Sequence, residues 1–242
     1  HRRRAAGHGG GTTRWGAYRR VRFDFWGSDE DADRDENRKG PASIGAVFLR
    51  PDEPFTWASG IRSPIYCDNR IILSHPAVRR EVEAALAALV KERYPGCGLL
   101  AGTSTAGIAH AAYVSEILGL PMCYVRGAAK DHGRGNRIEG RAEPGAKVVV
   151  IEDLISTGGS VLEVVDALRQ AGCEVLGIAS IFTYGLEKGV KRLADAGVQN
   201  ASLSCYDALL AAAVEEGVIA REDVPRLERF RQNPQDEGWM SL

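Results

Sequence analysis

The chain has 242 residues, 31 Lys and Arg against 32 Asp and Glu, and five cysteines. That length suits one domain with appendages, and the near-balanced charge gives no argument for a nucleic-acid or anionic-membrane partner. No apolar run approaches the roughly 20 residues of a transmembrane helix, no secretory leader pattern is visible, and the widely spaced Cys67, Cys97, Cys123, Cys173 and Cys205 form no CxxC or zinc pattern, so a reducing, cytoplasmic setting is expected.

Residues 1–40 read differently from the rest. His1–Arg22 is rich in Arg and Gly, and Ser28–Gly40 is mostly charged without apolar periodicity. Such a segment buries too little apolar surface to fold alone and is expected to be a flexible extension. An arm gripping nucleic acid is the alternative, but a solvated tail fits the composition better. Trp15, Phe23, Phe25 and Trp26 are the residues that could dock it. One domain is expected over 41–242. Ile44–Arg70 mixes apolar pairs with Pro and Gly and reads as short strands and turns. Ser74 or His75 with Pro76 marks a helix start, and Val78, Val82, Leu86 and Leu89 recur at helical spacing to about Arg93. After Pro95-Gly96, Cys97–Ala101 reads as a strand, Gly102–Gly107 as a small-residue loop and Ile108–Leu118 as a helix. Pro121–Arg126 reads as a third strand. Gly127–Gly140 carries four glycines with Lys130, Asp131, His132, Arg134, Arg137 and Glu139; it has no apolar face, and an exposed, mobile loop is expected.

The stretch KVVVIEDLISTGGS, Lys147–Ser160, is the most informative in the chain. Val148-Val149-Val150-Ile151 is β-branched throughout and apolar on both faces, which favours a buried parallel strand. It runs through Glu152 and Asp153 into Ser156-Thr157-Gly158-Gly159-Ser160 and then a helix, Val161–Gln170. Backbone N–H groups at such a turn, with a helix N-terminus behind them, favour a phosphate. Two carboxylates beside a phosphate cradle would repel the anion; they make sense facing sugar hydroxyls, a metal or a cationic transition state. No Gly-Lys-Ser/Thr follows, so the stretch is not a Walker A loop. Ala171-Gly172 ends the helix. Glu174–Tyr184 reads as a long buried strand, Gly185–Ala196 as a helix, Gln199–Cys205 as an edge strand, Tyr206–Glu216 and Arg221–Arg231 as closing helices, and Gln232–Leu242 as irregular. The alternation implies an α/β fold with a central, mostly parallel sheet flanked by helices. Both small-residue loops then lie at the carboxyl ends of strands, where ligands bind.

Lys147–Ser160 resembles the phosphoribosyl-pyrophosphate (PRPP) signature of the type I phosphoribosyltransferases. Phe55–Gly60, Ser63–Tyr66 and Asp68 resemble the small N-terminal hood of the orotate phosphoribosyltransferases, and Lys130-Asp131-His132-Gly133 their catalytic flexible loop. The resemblance covers about Ile44–Gln232. It implies the type I phosphoribosyltransferase fold and conversion of orotate and PRPP to orotidine 5′-monophosphate and pyrophosphate with Mg²⁺. By the same resemblance, Gly102–Gly107 is the pyrophosphate loop, and Arg126, Lys130 and His132 serve the departing pyrophosphate. Glu152 and Asp153 hold ribose hydroxyls. Leu154, Ile155, Ser156, Thr157, Gly158, Gly159 and Ser160 cradle the 5-phosphate, Ser156 also contacts orotate, and Lys130, His132 and Asp153 are the catalytic set. The family forms homodimers with shared active sites. The chain departs from many relatives in carrying Gly127-Ala128-Ala129 and Ala58 where a further Lys is common.

Two other readings stand beside this one. A phosphoribosyltransferase for another base, such as a purine, is disfavoured by the hood and by the Lys130–His132 loop. A non-catalytic PRPP-sensing regulator on the same fold would lose the catalytic loop residues, which are intact here, and add a nucleic-acid module.

Overall fold

The computed structural model describes residues 44–57, 59–127 and 137–242. The expectations for residues 1–40 and for Lys130, Asp131, His132 and Arg134 lie outside the described residues. The centre is a sheet built from β5 (Leu99–Thr103), β6 (Met122–Val125), β7 (Ile138–Glu139), β8 (Lys147–Ile155), β9 (Glu174–Thr183) and β10 (Asn200–Cys205), in the order β10-β9-β8-β5-β6-β7. All neighbours are parallel except β7, which returns antiparallel on β6. The chain order thus reverses between β8 and β5, at the middle of the sheet.

The β-branched run explains the middle position of β8. Val148, Val149, Val150 and Ile151 are fully buried, because helices cover both faces. On one face α1 (Pro76–Arg93) and α2 (Ala106–Leu118) bury Val82, Leu86, Val90, Ala111 and Val114 against Val149, Ile151 and Ile181. On the other, α3 (Gly159–Gln170) and α4 (Glu187–Asp195) lay Val161, Val165, Leu168 and Leu193 on Val148, Val150 and Ile178. Tyr94 closes the first layer by crossing β9 at Gly177 and donating to the Ile178 carbonyl at 2.7 Å; a β-carbon on Gly177 would collide with the Tyr94 ring.

The segment before α1 is a layer of short strands, as its Pro and Gly punctuation predicts. β1 (Val47–Leu49) pairs antiparallel with β4 (Ile65–Cys67), and β2 (Phe55–Thr56) with β3 (Arg62–Ser63). Its inner face packs on α5 (Tyr206–Glu215) and α6 (Val224–Gln232), with Ala46, Val47 and Ile65 in one cluster with Tyr184, Leu209, Leu227 and Phe230. Trp57 anchors it, 5.4 Å from the Tyr184 ring and 5.9 Å from Phe230.

Four elements differ from the sequence reading. The end of Gly127–Gly140, expected as exposed loop, forms β7 (Ile138–Glu139), because Ile138 pairs with Val125 and is buried in the core. β8 continues to Ile155, so the two acids sit within the strand rather than after it; β9 keeps pairing with it to Thr183. β5 starts and ends two residues later than Cys97–Ala101, because pairing to β6 extends to Thr103. The last stretch is a 3₁₀ turn, Glu237–Ser241, not irregular chain, because Trp239 is fully buried against Phe230 with ring centroids 5.6 Å apart. Trp239→Ala should therefore cost about 3–5 kcal/mol of stability. At ~2–4 °C per kcal/mol for a domain of this size, thermal unfolding should show a Tm roughly 6–20 °C lower. An unchanged Tm would mean the C-terminal turn is not part of the folded core.

Candidate active site

The two small-residue loops meet at the carboxyl edge of the sheet because β5 and β8 are adjacent and parallel, paired from Leu99↔Val148 to Gly102↔Ile151. One residue beyond that pairing the strands are joined by side chains. The Thr103 hydroxyl donates to Glu152 Oε1 at 2.7 Å, and the Asp153 backbone N–H donates to the same oxygen at 3.0 Å. Glu152 is 6% exposed. Burial above all, and then the neighbouring Asp153 carboxylate, push its pKa up to about 8, against the pull of the Thr103 and backbone donors. Asp153 is half-buried and more open than Glu152. The pair thus divides into a buried carboxyl whose ionisation burial opposes and a more open one beside it.

The loop after β5 is fitted closely against β8. Gly107, in the first turn of α2, leaves no room for a β-carbon against Thr103 Oγ1 and the Ile151 carbonyl. A β-carbon on Gly102 would lie 2.8 Å from the α2 backbone at Ile108. Ser104 Oγ donates to the Val125 carbonyl at 2.7 Å, tying this loop to the end of β6. There Arg126 begins the glycine-rich segment. Its N–H reaches the Arg137 carbonyl at 2.9 Å, and its Nε lies 3.1 Å from Glu139 Oε1. Arg137 in turn pairs with Glu163 of α3 at 3.1 Å. The two ends of the segment are therefore held together beside the site. Lys130 and His132, between them, are outside the described residues.

The phosphate-type turn follows β8 directly. Gly158 caps α3 at φ 73°, in the left-handed region that favours glycine. The leading N–H groups of α3 have no carbonyl ahead of them within the helix, a geometry suited to an anion. Ser156, Thr157 and Gly159 are half-buried and Ser160 is exposed, all at this turn. Leu154 and Ile155 sit differently. They pair with Phe182 and Thr183 in the β8–β9 ladder, and Ile155 is buried in the core, so their side chains serve packing. Helix α4 supports the turn from behind. Gly189 comes so close to the Ser156 carbonyl that a β-carbon would overlap it, and Arg192 Nη1 donates to the Thr157 carbonyl at 3.3 Å.

Sequence reading brought Arg126, Glu152, Asp153 and Ser156–Ser160 to one edge, and the structure places them there. It did not single out Thr103, Arg192 or Asn69, whose amide bonds the Asp153 carbonyl. Thr103 belongs to a small-residue loop like many others. Arg192 and Asn69 are 35 and 84 residues from their partners, and no spacing rule reaches that far.

A sheet whose order reverses between two strand–loop–helix units, with a carboxylate pair at one loop, is the architecture of the phosphoribosyltransferases. The model of the phosphoribosyl transferase domain matches residues 68–204. Orotate phosphoribosyltransferases of Bacillus anthracis and Bacillus cytotoxicus are each 59% identical over 198 residues, covering 82% of this chain and 94% of their own length. The solved orotate phosphoribosyltransferase of Aeropyrum pernix superposes with a TM-score of 0.65 at 28% identity, over 74% of this chain and 97% of that one. The chain belongs to the orotate phosphoribosyltransferase family.

The buried Glu152 has a measurable signature. An unfolded Glu ionises near roughly 4.3, whereas burial and the neighbouring Asp153 push Glu152 up to about 8 in the fold. Between those values the unfolded chain gives up this proton and the folded one retains it. Stability from this group is thus fully present below the unfolded value and is lost as pH rises towards the folded one. Glu152→Gln lacks that loss. Its Tm minus that of the wild type should increase from about pH 5 to about pH 8 and then level off. A difference flat across this range would mean that Glu152 is ionised in the folded protein.

Proposed function

We infer that this chain transfers the phosphoribosyl group of PRPP to orotate, giving orotidine 5′-monophosphate and pyrophosphate, the phosphoribosyl step of UMP synthesis. The observation that carries this is the junction of the two loops at Thr103 and Glu152, in a chain 59% identical to orotate phosphoribosyltransferases. Displacement of pyrophosphate at the anomeric carbon passes through an oxocarbenium-like state. It calls for stabilised charge on both sides of that carbon more than for a protein nucleophile. Asp153, half-buried near the end of β8 before its loop, would face the ribose hydroxyls and the positive charge that develops near them. Glu152 holds the Asp153 backbone through its N–H. By the resemblance Glu152 also holds the ribose, and the burial that opposes its ionisation would limit repulsion of the incoming phosphates. Ser156–Ser160 take the 5-phosphate on backbone N–H groups. Arg126, Lys130 and His132 serve the departing pyrophosphate, a role assigned by resemblance, and Ser156 contacts orotate on the same ground. Tyr66 and Phe55, 5.6 Å apart on the strand layer, are aromatic faces suited to a planar base.

Mg²⁺ belongs to this proposal. It favours hard oxygen ligands and keeps several waters. The carboxyls of Glu152 and Asp153 would hold the ribose beside such an ion. When bound, the ion offsets the negative charge that gathers on the leaving group.

We also propose a homodimer with shared sites, in the cytoplasm. α2 carries an apolar outer face, with Tyr113 40% and Ile117 50% exposed. The Arg79 guanidinium lies 4.4 Å over the Tyr113 ring. An apolar face of this kind suits a second copy of the chain. No described helix is long and apolar enough to cross a membrane, and all five cysteines are free thiols, which suit a reducing compartment.

Assay of pyrophosphate release over a panel of bases tests the function. Orotate should turn over fastest, and faster turnover of adenine or hypoxanthine would overturn the assignment. Asp153→Asn should lower kcat by roughly 10²–10³ with the fold intact; unchanged kinetics would remove Asp153 from the chemistry. For the shared site, Lys130→Ala and Asp153→Asn subunits are mixed under exchange. Each mixed dimer then has one doubly defective and one intact site. With half the dimers mixed, activity should return to about a quarter of wild type. Exchange verified by mass with no recovery would place the whole site in one subunit.

A further inference from the structure

We propose that Asn69 is a positioning residue that locks the strand layer carrying Phe55 and Tyr66 to the ribose-facing Asp153, so that base and ribose are held in register. The proposal rests on the orotate reading above and goes beyond it in naming how the two half-sites are aligned. Asn69 opens a 3₁₀ turn, Asn69–Ser74, immediately after β4. Unlike a surface Asn, it is 2% exposed. Its Nδ2 donates to the Asp153 carbonyl at 2.7 Å across 84 residues of sequence. A carbonyl only accepts, so the amide nitrogen must be the end that faces it. The other end is also engaged: Oδ1 accepts from Cys67 Sγ at 3.4 Å. Burial pushes the Cys67 thiol well above its usual range, with Asp153 and Asp68 adding to it, so the sulfur keeps the hydrogen it donates.

This link falls where β8 needs support. Pairing with β5 ends at Gly102↔Ile151, two residues short of Asp153. β9 pairs with Glu152 and Leu154 on either side of Asp153, and on the other side the last link from β5 is the Thr103 side chain to Glu152, one residue short of Asp153. Asn69 bonds to the backbone in that stretch. The same few residues carry Tyr66, whose ring lies beside Phe55. A shift of the strand layer is thereby transmitted to Asp153 through Cys67 and Asn69 rather than absorbed in a loop. Attack of a base nitrogen on the anomeric carbon needs both reactants aligned, and misplacement by about 1 Å can cost on the order of 10² in rate.

The test compares Asn69→Leu, near in volume but without the donor, in two backgrounds. In the otherwise wild-type enzyme, kcat should fall about 10- to 100-fold. KM for PRPP should stay within about 3-fold, because the phosphate turn at Ser156–Ser160 is untouched. In the Asp153→Asn background the same substitution should change kcat by less than about 3-fold, since a residue acting through Asp153 has little left to disturb. A full further loss in that background, or unchanged kcat in the wild-type background, overturns the proposal. If Asn69→Leu does not fold, as judged by thermal unfolding, the comparison is made with Asn69→Ser, which is small and keeps a hydroxyl donor; the expected pattern is the same with a smaller loss. Absence of orotate turnover in the unsubstituted enzyme would instead refute the functional reading on which the proposal stands.

Discussion

The site depends on the parallel pairing of β5 with β8. Both strands run in the same direction and their pairing ends at Gly102 and Ile151, so two loops from distant parts of the chain open side by side at one edge. The Thr103–Glu152 hydrogen bond then closes the seam one residue further on. Everything else is arranged around this seam. The buried valines of β8 hold the strand in the middle of the sheet, α2 and α3 begin at its two loops, and the strand layer and Asn69 approach it from the side of Asp153.

The pairing also resolves the difficulty of adjacent acids next to phosphates. In water two neighbouring carboxylates would both be ionised and would repel a polyphosphate. Here they are placed in different environments. Glu152 is buried against Thr103, where desolvation raises its pKa and opposes ionisation. Asp153 remains at the open mouth. The fold therefore provides a buried, hydrogen-bonded carboxyl and a separate, more open one from two consecutive residues.

Much of this was legible in the sequence, for reasons that are local. Four consecutive β-branched residues announce a buried strand, Pro76 marks the start of α1, and Gly158-Gly159 announces a turn that only small residues can make. Hydrophobic alternation between strands and helices is enough for a mostly parallel sheet with β10 at its edge. What stayed hidden depends on pairings between distant residues. The continuation of β8 through its acids follows from the length of β9 beside it, not from the polarity of Glu152 and Asp153. The buried Trp239 turn follows from a cluster that gathers the strand layer, α5 and α6, which no window of eleven residues reveals. Asn69 reads as an ordinary turn residue until Asp153 is placed next to it.

The central claim is that one edge of the sheet holds phosphate, ribose and base in a fixed order. The most direct measurement is a crystal structure of the chain with orotidine 5′-monophosphate. The account predicts the 5′-phosphate on the backbone N–H groups of Ser156–Ser160, the ribose hydroxyls on Asp153, and the pyrimidine beneath the strand layer that carries Phe55 and Tyr66. A phosphate bound instead at the loop after β5, or a ribose out of reach of Asp153, would contradict it.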